Sequence, residues 1–509
     1  MDEFAASLSK PFLNHIISLL PDDEPVYLVG GVIRDALLQR HYYDIDFVIP
    51  GNAMKLARRI GDVLGAAYFP LDTHRNIARL ILNPDNQDGY PGSSLRRIDF
   101  STFQGVDLVS DLQGRDFTMN AMAVEVHHLQ TLIDPLGGAA DLRSKRLKAC
   151  SKNSIKDDPV RILRAVRFSV ELELIIQPET LQLIREAVGL LPQVSTERLR
   201  DELFRILLQS HPSSSIRILD LLNALEHVLP EVCFLHDIQQ SPPHILDVWD
   251  HTIGLLTRLE NILDVLAPEY DPDKTSNLTM GLVSLKLGRY RQHLVEHLSN
   301  SLNPDRPHRS LIFLAGLYHD VGKQKTQTID DKRKIRFIDH EHIGSRIIER
   351  RGKVLKLSNQ EIERLVTIVK HHMRPSMLSH TKELPSKKAV YRFFRDTGAA
   401  GVDICLLSLA DILATYGSTL PQERWAWHLD VVRELFTAWW EDREERIFPV
   451  PIINGDDLMD ALELSPGPLV GYLLDAIREA QIAGEIHTRQ DAIKLGKKLS
   501  TEKQNKTGG

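Results

Sequence analysis

Two aspartates one residue apart, Asp44 and Asp46, sit in an apolar stretch, DIDFVI, that reads as a β-strand. Residues i and i+2 of a strand point to the same face, so the two carboxylates lie side by side. Such a pair repels itself unless a cation sits between them, and its oxygens suit a hard divalent ion such as Mg²⁺. Just upstream, the hydrophobic run Tyr27–Val29 ends in Gly30 and Gly31 and leads into a helix with Arg34 and Asp35 in its first turns. Glycines at that point let backbone N–H groups approach an anion closely. Phosphate beside a carboxylate-held metal is the arrangement used in phosphoryl or nucleotidyl transfer. Taken alone, the same residues also fit a plain strand–turn–helix with an exposed acid pair.

A third acid, Asp99, lies in SSLRRIDFSTF, a second expected strand. A carboxylate from a neighbouring strand would complete a metal cradle and accept the proton of an attacking hydroxyl. GRDFTMNAMAVEV then places Arg115, Asp116 and Asn120 at the opening of an expected apolar helix, and LIDPLGGAADL forms a turn before a short helix. Asp116 and Asp134 equally suit the capping of backbone donors. At KDDPVRILRAVRFSVEL a further helix is expected, with Asp158 as its N-cap and Pro159 in its first turn. Arg161, Arg164 and Arg167 recur at spacing three and line one strip of it. Asp158 and Arg161 could form no more than a weak surface ion pair. A sharper use exists: one carboxylate plus one guanidinium matches the donor–acceptor edge of cytosine and of adenine. Uracil and guanine would set a carbonyl against the carboxylate.

The frame around these residues is that of an ordinary globular chain. Its 509 residues call for several domains, and 42% hydrophobic with 26% charged content is typical of such proteins. No apolar run suggests a bilayer span, the N-terminus lacks the basic-then-apolar pattern of a signal peptide, and Cys150, Cys233 and Cys405 are scattered without zinc or pairing spacing. A cytoplasmic protein with no membrane partner is expected. The net charge of −7 argues against a general coat for nucleic acid. Yet nine cations fall between Arg143 and Arg167, opposed only by Asp157 and Asp158, a local band of the kind a polyanion site needs.

In order, LVGGVIRDALL, DID, GRDFTMNAMA, DPLGGAADL, DDPVRILRAVRF and STERLRDELFRIL resemble the class II tRNA nucleotidyltransferase and bacterial poly(A) polymerase family, over about residues 27–208. The resemblance implies that Asp44 and Asp46 hold catalytic Mg²⁺ and that Gly31 and Arg34 meet the incoming triphosphate. It implies that Arg115, Asp116 and Asn120 hold sugar and phosphates, that Asp158 and Arg161 read the base, and that Arg164 and Arg167 form the nearby phosphate strip. The partners would be tRNA, CTP and ATP. Members that complete CCA usually carry a longer polar insertion where this chain has only FSTFQGVDLVSDLQG between Asp99 and Arg115, which implies an enzyme adding only the two cytidines. NPDNQDGYPGSS, before the Asp99 strand, is an alternative position for such a loop.

A second constellation follows. LAGLYHDVGKQKTQ carries His319 and Asp320, VWDHTIGLL carries His251 upstream, and FIDHEHIGSRI, VKHHMRP and LSLADILATYG lie downstream. The set resembles the HD phosphohydrolase superfamily. It implies His251, His319, Asp320 and Asp411 as ligands of one metal, with His340, His371 and His372 as candidates for a second metal or for phosphate. Imidazole with carboxylate suits Mn, Ni, Co or Fe better than Mg²⁺ alone.

The expected fold is multidomain: an α/β nucleotidyltransferase palm with a mixed sheet over 1–145, an all-α neck over 146–230, an HD-type helical domain over 231–440 and a helical tail over 441–509. Two other functions are weighed. A poly(A) polymerase would share the active-site motifs, but an acidic chain grips arbitrary RNA ends poorly. An HD phosphohydrolase with an RNA-binding head would have no need of the acids Asp44, Asp46 and Asp99.

Overall fold

Seven strands are built from short apolar runs that alternate, residue by residue, between two faces. They are β1 (Tyr27–Val29), β2 (Asp44–Ile49), β3 (Ala67–Asp72), β4 (Ile77–Ile81), β5 (Arg97–Thr102), β6 (Ala123–Glu125) and β7 (Leu132–Ile133). They form one sheet in the order β3-β4-β5-β2-β1-β6-β7. Only β2 and β5 run parallel; the other neighbours are antiparallel, so the sheet is mixed. The computed structural model describes residues 2–8, 10–82, 97–271 and 277–507, and NPDNQDGYPGSS lies outside these residues. The described chain divides into two compact units, Met1–Glu202 with Leu221–His227, and Leu203–Asp220 with Val228–Gly509.

One face of the sheet is the main core of the first unit. Ile45, Phe47, Ile49, Ile98 and Phe100 point into it, with the Phe47 and Phe100 rings stacked at 5.0 Å. The helix Ala53–Leu64 covers this face with Ala53, Leu56, Ala57 and Ile60; Asn52 caps its start by accepting from the Lys55 N–H, and Gly65 ends it in the left-handed region. The residues between, Asp46 and Asp99, therefore point to the opposite face. A smaller apolar patch closes part of that face, made by Val29, Val48, Leu112, Ala121 and Ala123.

Two expected elements are corrected. The stretch after Arg115 is not an apolar helix but a single tight turn, Thr118–Asn120, followed by β6. Met122, Val124 and Val126 enter the main core while Ala121 and Ala123 enter the smaller patch, so both faces are buried at a period of two. An apolar run buried on both sides reads like a helix in sequence. The second helix starts at Arg161 rather than at Pro159, and Asp158 is extended, at φ −150° and ψ 92°, and does not cap it.

The second unit is almost wholly helical. Its centre is the helix Ala400–Tyr416, buried along most of its length. Contrary to the sequence reading, this stretch is long and apolar enough to cross a bilayer, but 78% of it is buried in protein, as in a core helix. Inside this unit Arg306 forks onto Glu361 at 2.7 and 3.1 Å, and Asp403 accepts from His297 at 2.8 Å and pairs with Arg364 at 2.5 Å. Ile453, Leu458, Leu473, Ile477, Ile486 and Ala492 form a separate small core near the C-terminal end.

Gly138, at the start of the helix Gly138–Arg143, has no room for a side chain: a Cβ would fall on the Thr118 carbonyl. Gly138→Ala is expected to cost about 1–3 kcal/mol through forced displacement of the 118–120 turn. Gly189→Ala, where nothing lies within 4 Å, serves as the near-neutral control. Thermal melts of the two variants check this.

Candidate active site and metal centre

The parallel pairing of β2 with β5 sets Asp46 directly beside Asp99. Arg79, opposite Asp99 on β4, donates to both of its oxygens at 2.8 Å. Asp44 lies at the exposed start of β2 on the same face. Gly30, at φ 75°, lets its neighbours close in: a Cβ there would stand 3.2 Å from Asp46 Oδ2 and 3.3 Å from Arg115 Nη1. Burial, then Asp99 and Asp44, push the Asp46 carboxyl up to about 6 against the pull of Arg115 and Arg79. Acids crowded on one rigid face, with too little positive charge to hold them all ionised, fit a divalent cation.

Around the acids runs a chain of charged groups. Arg34 forks onto Asp35 at 2.9 and 3.0 Å and donates to Asn120 Oδ1 at 2.9 Å. Asn120 Nδ2 donates to Asp116 Oδ1 at 3.1 Å, where the Phe117 N–H also binds at 2.7 Å. Asp116 Oδ2 accepts from Arg164 Nε at 2.9 Å and Nη2 at 2.6 Å. Arg164 and Arg167 share Glu202 at 3.3 and 3.0 Å. Burial alone would raise the Asp116 carboxyl, but the Arg164 guanidinium and the Asn120 and Phe117 donors hold it down to about 2. Asp35 goes the other way: burial outweighs Arg34 and raises it. The guanidinium groups of Arg34, Arg164 and Arg167 all stand over the Phe168 ring, at 5.1, 5.3 and 4.2 Å.

The structure does not join Asp158 to Arg161. Asp158 pairs with Arg198 at 2.5 Å, while Arg161 is spent on carbonyls, donating to Gly114 O at 2.9 Å and to Arg115 O and Ser154 O at 3.0 Å. The i,i+3 geometry assumed a helix already formed at Asp158, and the helix begins three residues later. Sequence reasoning missed Arg79, Arg198 and Glu202. The signal for Arg79 was the alternation of IARLI, which puts its one cation on the polar face.

In the second unit, Asp320 is the hub of a buried histidine cluster. His319 Nε2 lies 3.1 Å from it, His340 Nε2 3.2 Å, His251 Nε2 3.6 Å and His372 Nε2 4.0 Å. His251 Nε2 is also 3.1 Å from Asp411. The Nδ1 atoms of His319, His340 and His372 each donate to a backbone carbonyl at 2.8 Å, those of Gly316, Phe337 and Val369. Carbonyls only accept, so these rings are fixed with Nε2 as the free lone pair. The Nε2 atoms of His251, His319 and His340 are buried without a hydrogen-bond partner. Two triads share Asp320, His251–His319–Asp320 and Asp320–His340–His372, with ligand atoms within 4.8 Å of one another. Aimed lone pairs converging on a carboxylate fit a metal of the imidazole-binding type. Lys323 Nζ lies 2.6 Å from Asp320 Oδ2, the oxygen that His319 and His251 also face, and 2.7 Å from Gln240 Oε1.

His371 does not join the cluster. It is one residue from His372, so it turns about 100° away along the helix direction, and it is half-buried with Arg374 and Lys370 as its cationic neighbours. His244 was missed: its ring stands 5.0 Å from that of His251, and burial lowers it to about 4. Its setting, SPPHIL, gave no periodic signal.

One chain thus carries an acid-bearing mixed sheet and a histidine-rich helical unit. The poly A polymerase head domain matches residues 26–148, the RNA and SrmB-binding site of polymerase A 173–235, the HD domain 289–416 and the tRNA nucleotidyltransferase domain 2 451–495. The A-adding tRNA nucleotidyltransferase of Deinococcus radiodurans is 31% identical over 473 residues, covering 91% of this chain and 93% of that one. The CC-adding tRNA nucleotidyltransferase of Geobacter sulfurreducens is 30% identical over 484 residues, 93% and 92% of the two chains. Among solved structures, a CCA-adding enzyme with CTP matches over 97% of this chain and 96% of that one, at TM-score 0.60 and 21% identity. The Thermotoga maritima CCA-adding enzyme complexed with tRNA covers 98% of both chains at TM-score 0.56 and 21% identity. The chain belongs to the tRNA nucleotidyltransferase family, the enzymes of CCA addition.

The depressed Asp116 carboxyl carries a stability consequence. Its folded value of about 2 lies below the ordinary 3.8, so its contribution is complete above about pH 4 and lost as the pH falls towards 2. The difference corresponds to about 2 kcal/mol. Asp116→Asn is expected to be less stable than the parent by at least that amount at pH 7, with the gap constant down to pH 5 and narrowing below about pH 4. Urea melts across this range measure it.

Proposed function

We propose that this enzyme adds the two cytidines of the CCA terminus to tRNA from CTP, and that it stops there. The observation carrying the stop is the segment between Asp99 and Arg115. After β5 the Phe103 N–H binds Ile49 O at 3.0 Å, and the Gln104 N–H binds the buried Asp111 at 2.9 Å. Asp107 and Ser110 then form a reciprocal cap on the helix Leu108–Gln113, and Arg115 closes back onto Asp111 at 3.1 Å. Both ends of this short connection are anchored, with the exposed Gly105 and Val106 between them. A pocket that switches from cytosine to adenine needs a movable element beside it, and in this reading a segment this short, held at both ends, does not supply one.

In this reading Asp44 and Asp46 hold Mg²⁺, which when bound supplies charge neutralisation for the triphosphate and for the attacking oxygen. Asp99, oriented by Arg79, accepts the proton of the primer 3′-hydroxyl; each of its oxygens keeps a lone pair beyond the one Arg79 uses. Arg34 and Asn120, in the Asp116-centred network, and Arg115, paired with Asp111, face the triphosphate and sugar. Asp158 and Arg161 read the base, which requires Asp158 to exchange Arg198 for the exocyclic amino group of cytosine. Arg161, anchored on three carbonyls, is the fixed member of the pair. The palm, neck, HD domain and tail boundaries at 145, 230 and 440 belong to the same proposal, as does a cytoplasmic site of action on tRNA. Relatives named as tRNA nucleotidyltransferases along nine-tenths of the chain favour this over a poly(A) polymerase or a binding-only head.

A second activity is favoured by the orphaned imidazole nitrogens around Asp320. The HD centre would take Mn, Ni, Co or Fe on His251, His319, Asp320 and Asp411, with His340 and His372 on the other side of Asp320, and hydrolyse a phosphoester.

On tRNA ending at the discriminator base, CTP plus ATP should give an extension of two nucleotides, and tRNA ending in CC should accept almost no ATP. Efficient A addition to the CC-ended tRNA would overturn the CC-only reading. Asp46→Ala should cut addition about a thousandfold or more, the several kcal/mol a metal clamp supplies. For the HD centre, elemental analysis of purified protein should find a transition metal that His319→Ala loses, together with hydrolysis of a 2′,3′-cyclic phosphate, while nucleotide addition persists. Metal-free parent protein that cannot be loaded would leave the centre without this role.

A further inference from the structure

The acid-bearing face of the sheet does not end at the acids. Cross-strand partners share a face, and the register draws one row across five strands: Val29 opposite Asp46, Asp46 beside Asp99, Asp99 opposite Arg79, and Arg79 opposite Phe69. The Arg79–Asp99 fork identifies the face. The alternate residues Tyr68 and Leu80 go the other way, into the main core, where Arg58 of the helix Ala53–Leu64 lies over the Tyr68 ring. Phe69 is thus presented on the side of the acids, on the outermost strand, and is 45% exposed. Leu71 and Ile81 are similarly open at 49% and 43%. An open aromatic on an edge strand is a liability that proteins usually blunt with charge. Here it continues the row that carries the catalytic acids.

We propose that Phe69 is the platform on which the 3′-terminal base of the tRNA primer stacks; this rests on the nucleotide-addition reading of the same face. Strands are spaced about 4.8 Å apart, so Phe69 stands about 10 Å from Asp99, on the order of one nucleoside's length. A primer whose 3′-hydroxyl meets Asp99 therefore lays its own base over Phe69, with Arg79, the one cation of the row, beneath the sugar. Stacking on an aromatic ring is indifferent to base identity because every base has a π-face. That suits a primer whose terminal base is first the discriminator and then a cytidine. The incoming nucleotide is read on the other flank, by groups near Arg34 and Arg161, so base selection and primer holding occupy separate sides of the acids.

The test uses the full chain and tRNA ending at the discriminator position, with 2-aminopurine as that base. Binding to the parent enzyme should quench its fluorescence. Phe69→Ala should lose the quench and raise the KM for tRNA about tenfold, within the range of one base–aromatic stack. The KM for CTP and the melting temperature should hold, since Phe69 is not part of the core. Phe69→Trp should retain both the quench and the tRNA KM. An unquenched probe on a parent enzyme that extends tRNA, or an unchanged tRNA KM in Phe69→Ala, overturns the inference and leaves nucleotide addition standing. So does a change of oligomeric state in Phe69→Ala with the quench intact, which would give the face to a second copy of the chain. A parent enzyme that extends no tRNA overturns the functional reading itself.

Discussion

The first unit depends on one buried carboxylate. Asp116 receives Arg164 from the helix Arg161–Glu171, the amide of Asn120 from the 118–120 turn and the Phe117 N–H. Breaking a buried pair leaves an uncompensated charge and is costly, so the helix and the turn are locked as one body. Through Asn120 the lock reaches Arg34, and through Arg164 and Glu202 it reaches Arg167. The groups proposed to meet the nucleotide are thus held by each other before any ligand arrives. Preorganised charge of this kind needs little rearrangement when a triphosphate binds.

The two centres solve opposite electrostatic problems. On the sheet, burial and then the neighbouring Asp99 and Asp44 raise the Asp46 carboxyl against the pull of Arg115 and Arg79. In the helical unit one acid, Asp320, stands among four imidazole nitrogens, with Lys323 Nζ 2.6 Å away. The first arrangement favours a hard cation on oxygen; the second offers nitrogen lone pairs. One chain can therefore carry two metal preferences without the sites competing for the same ion.

Much of this was legible in the residues. The alternation of DIDFVI against its apolar neighbours placed two acids on one face, and the resemblance to HD phosphohydrolases implied which segments converge on Asp320. What failed did so for identifiable reasons. AMAVEV is buried on both faces, which erases the contrast that distinguishes a strand from a helix. Asp158 and Arg161 were read as helical neighbours, but the residues between them are not helical, and side-chain pairing follows backbone geometry rather than sequence distance. His371 and His372 differ only by their angle around a helix that ends between them, a phase no composition can fix. Glu202 is a partner from a distant segment, visible only once the helices are assembled, and Arg79, though marked by the alternation of IARLI, finds Asp99 only through the strand register.

The parallel pairing of β2 with β5 also has a temporal meaning. The strands bearing Asp46 and Asp99 are roughly fifty residues apart, and between them lie a whole helix and the β3–β4 hairpin. Local pieces close quickly, whereas a long-range parallel contact forms slowly because its loop entropy must be met first. A nascent chain that has delivered β2 but not β5 therefore carries Asp44 and Asp46 on a strand with one open edge and no Asp99 beside Asp46. The facing of Asp46 and Asp99 is therefore completed only once β5 has docked, later than the local helix and hairpin that lie between them in sequence.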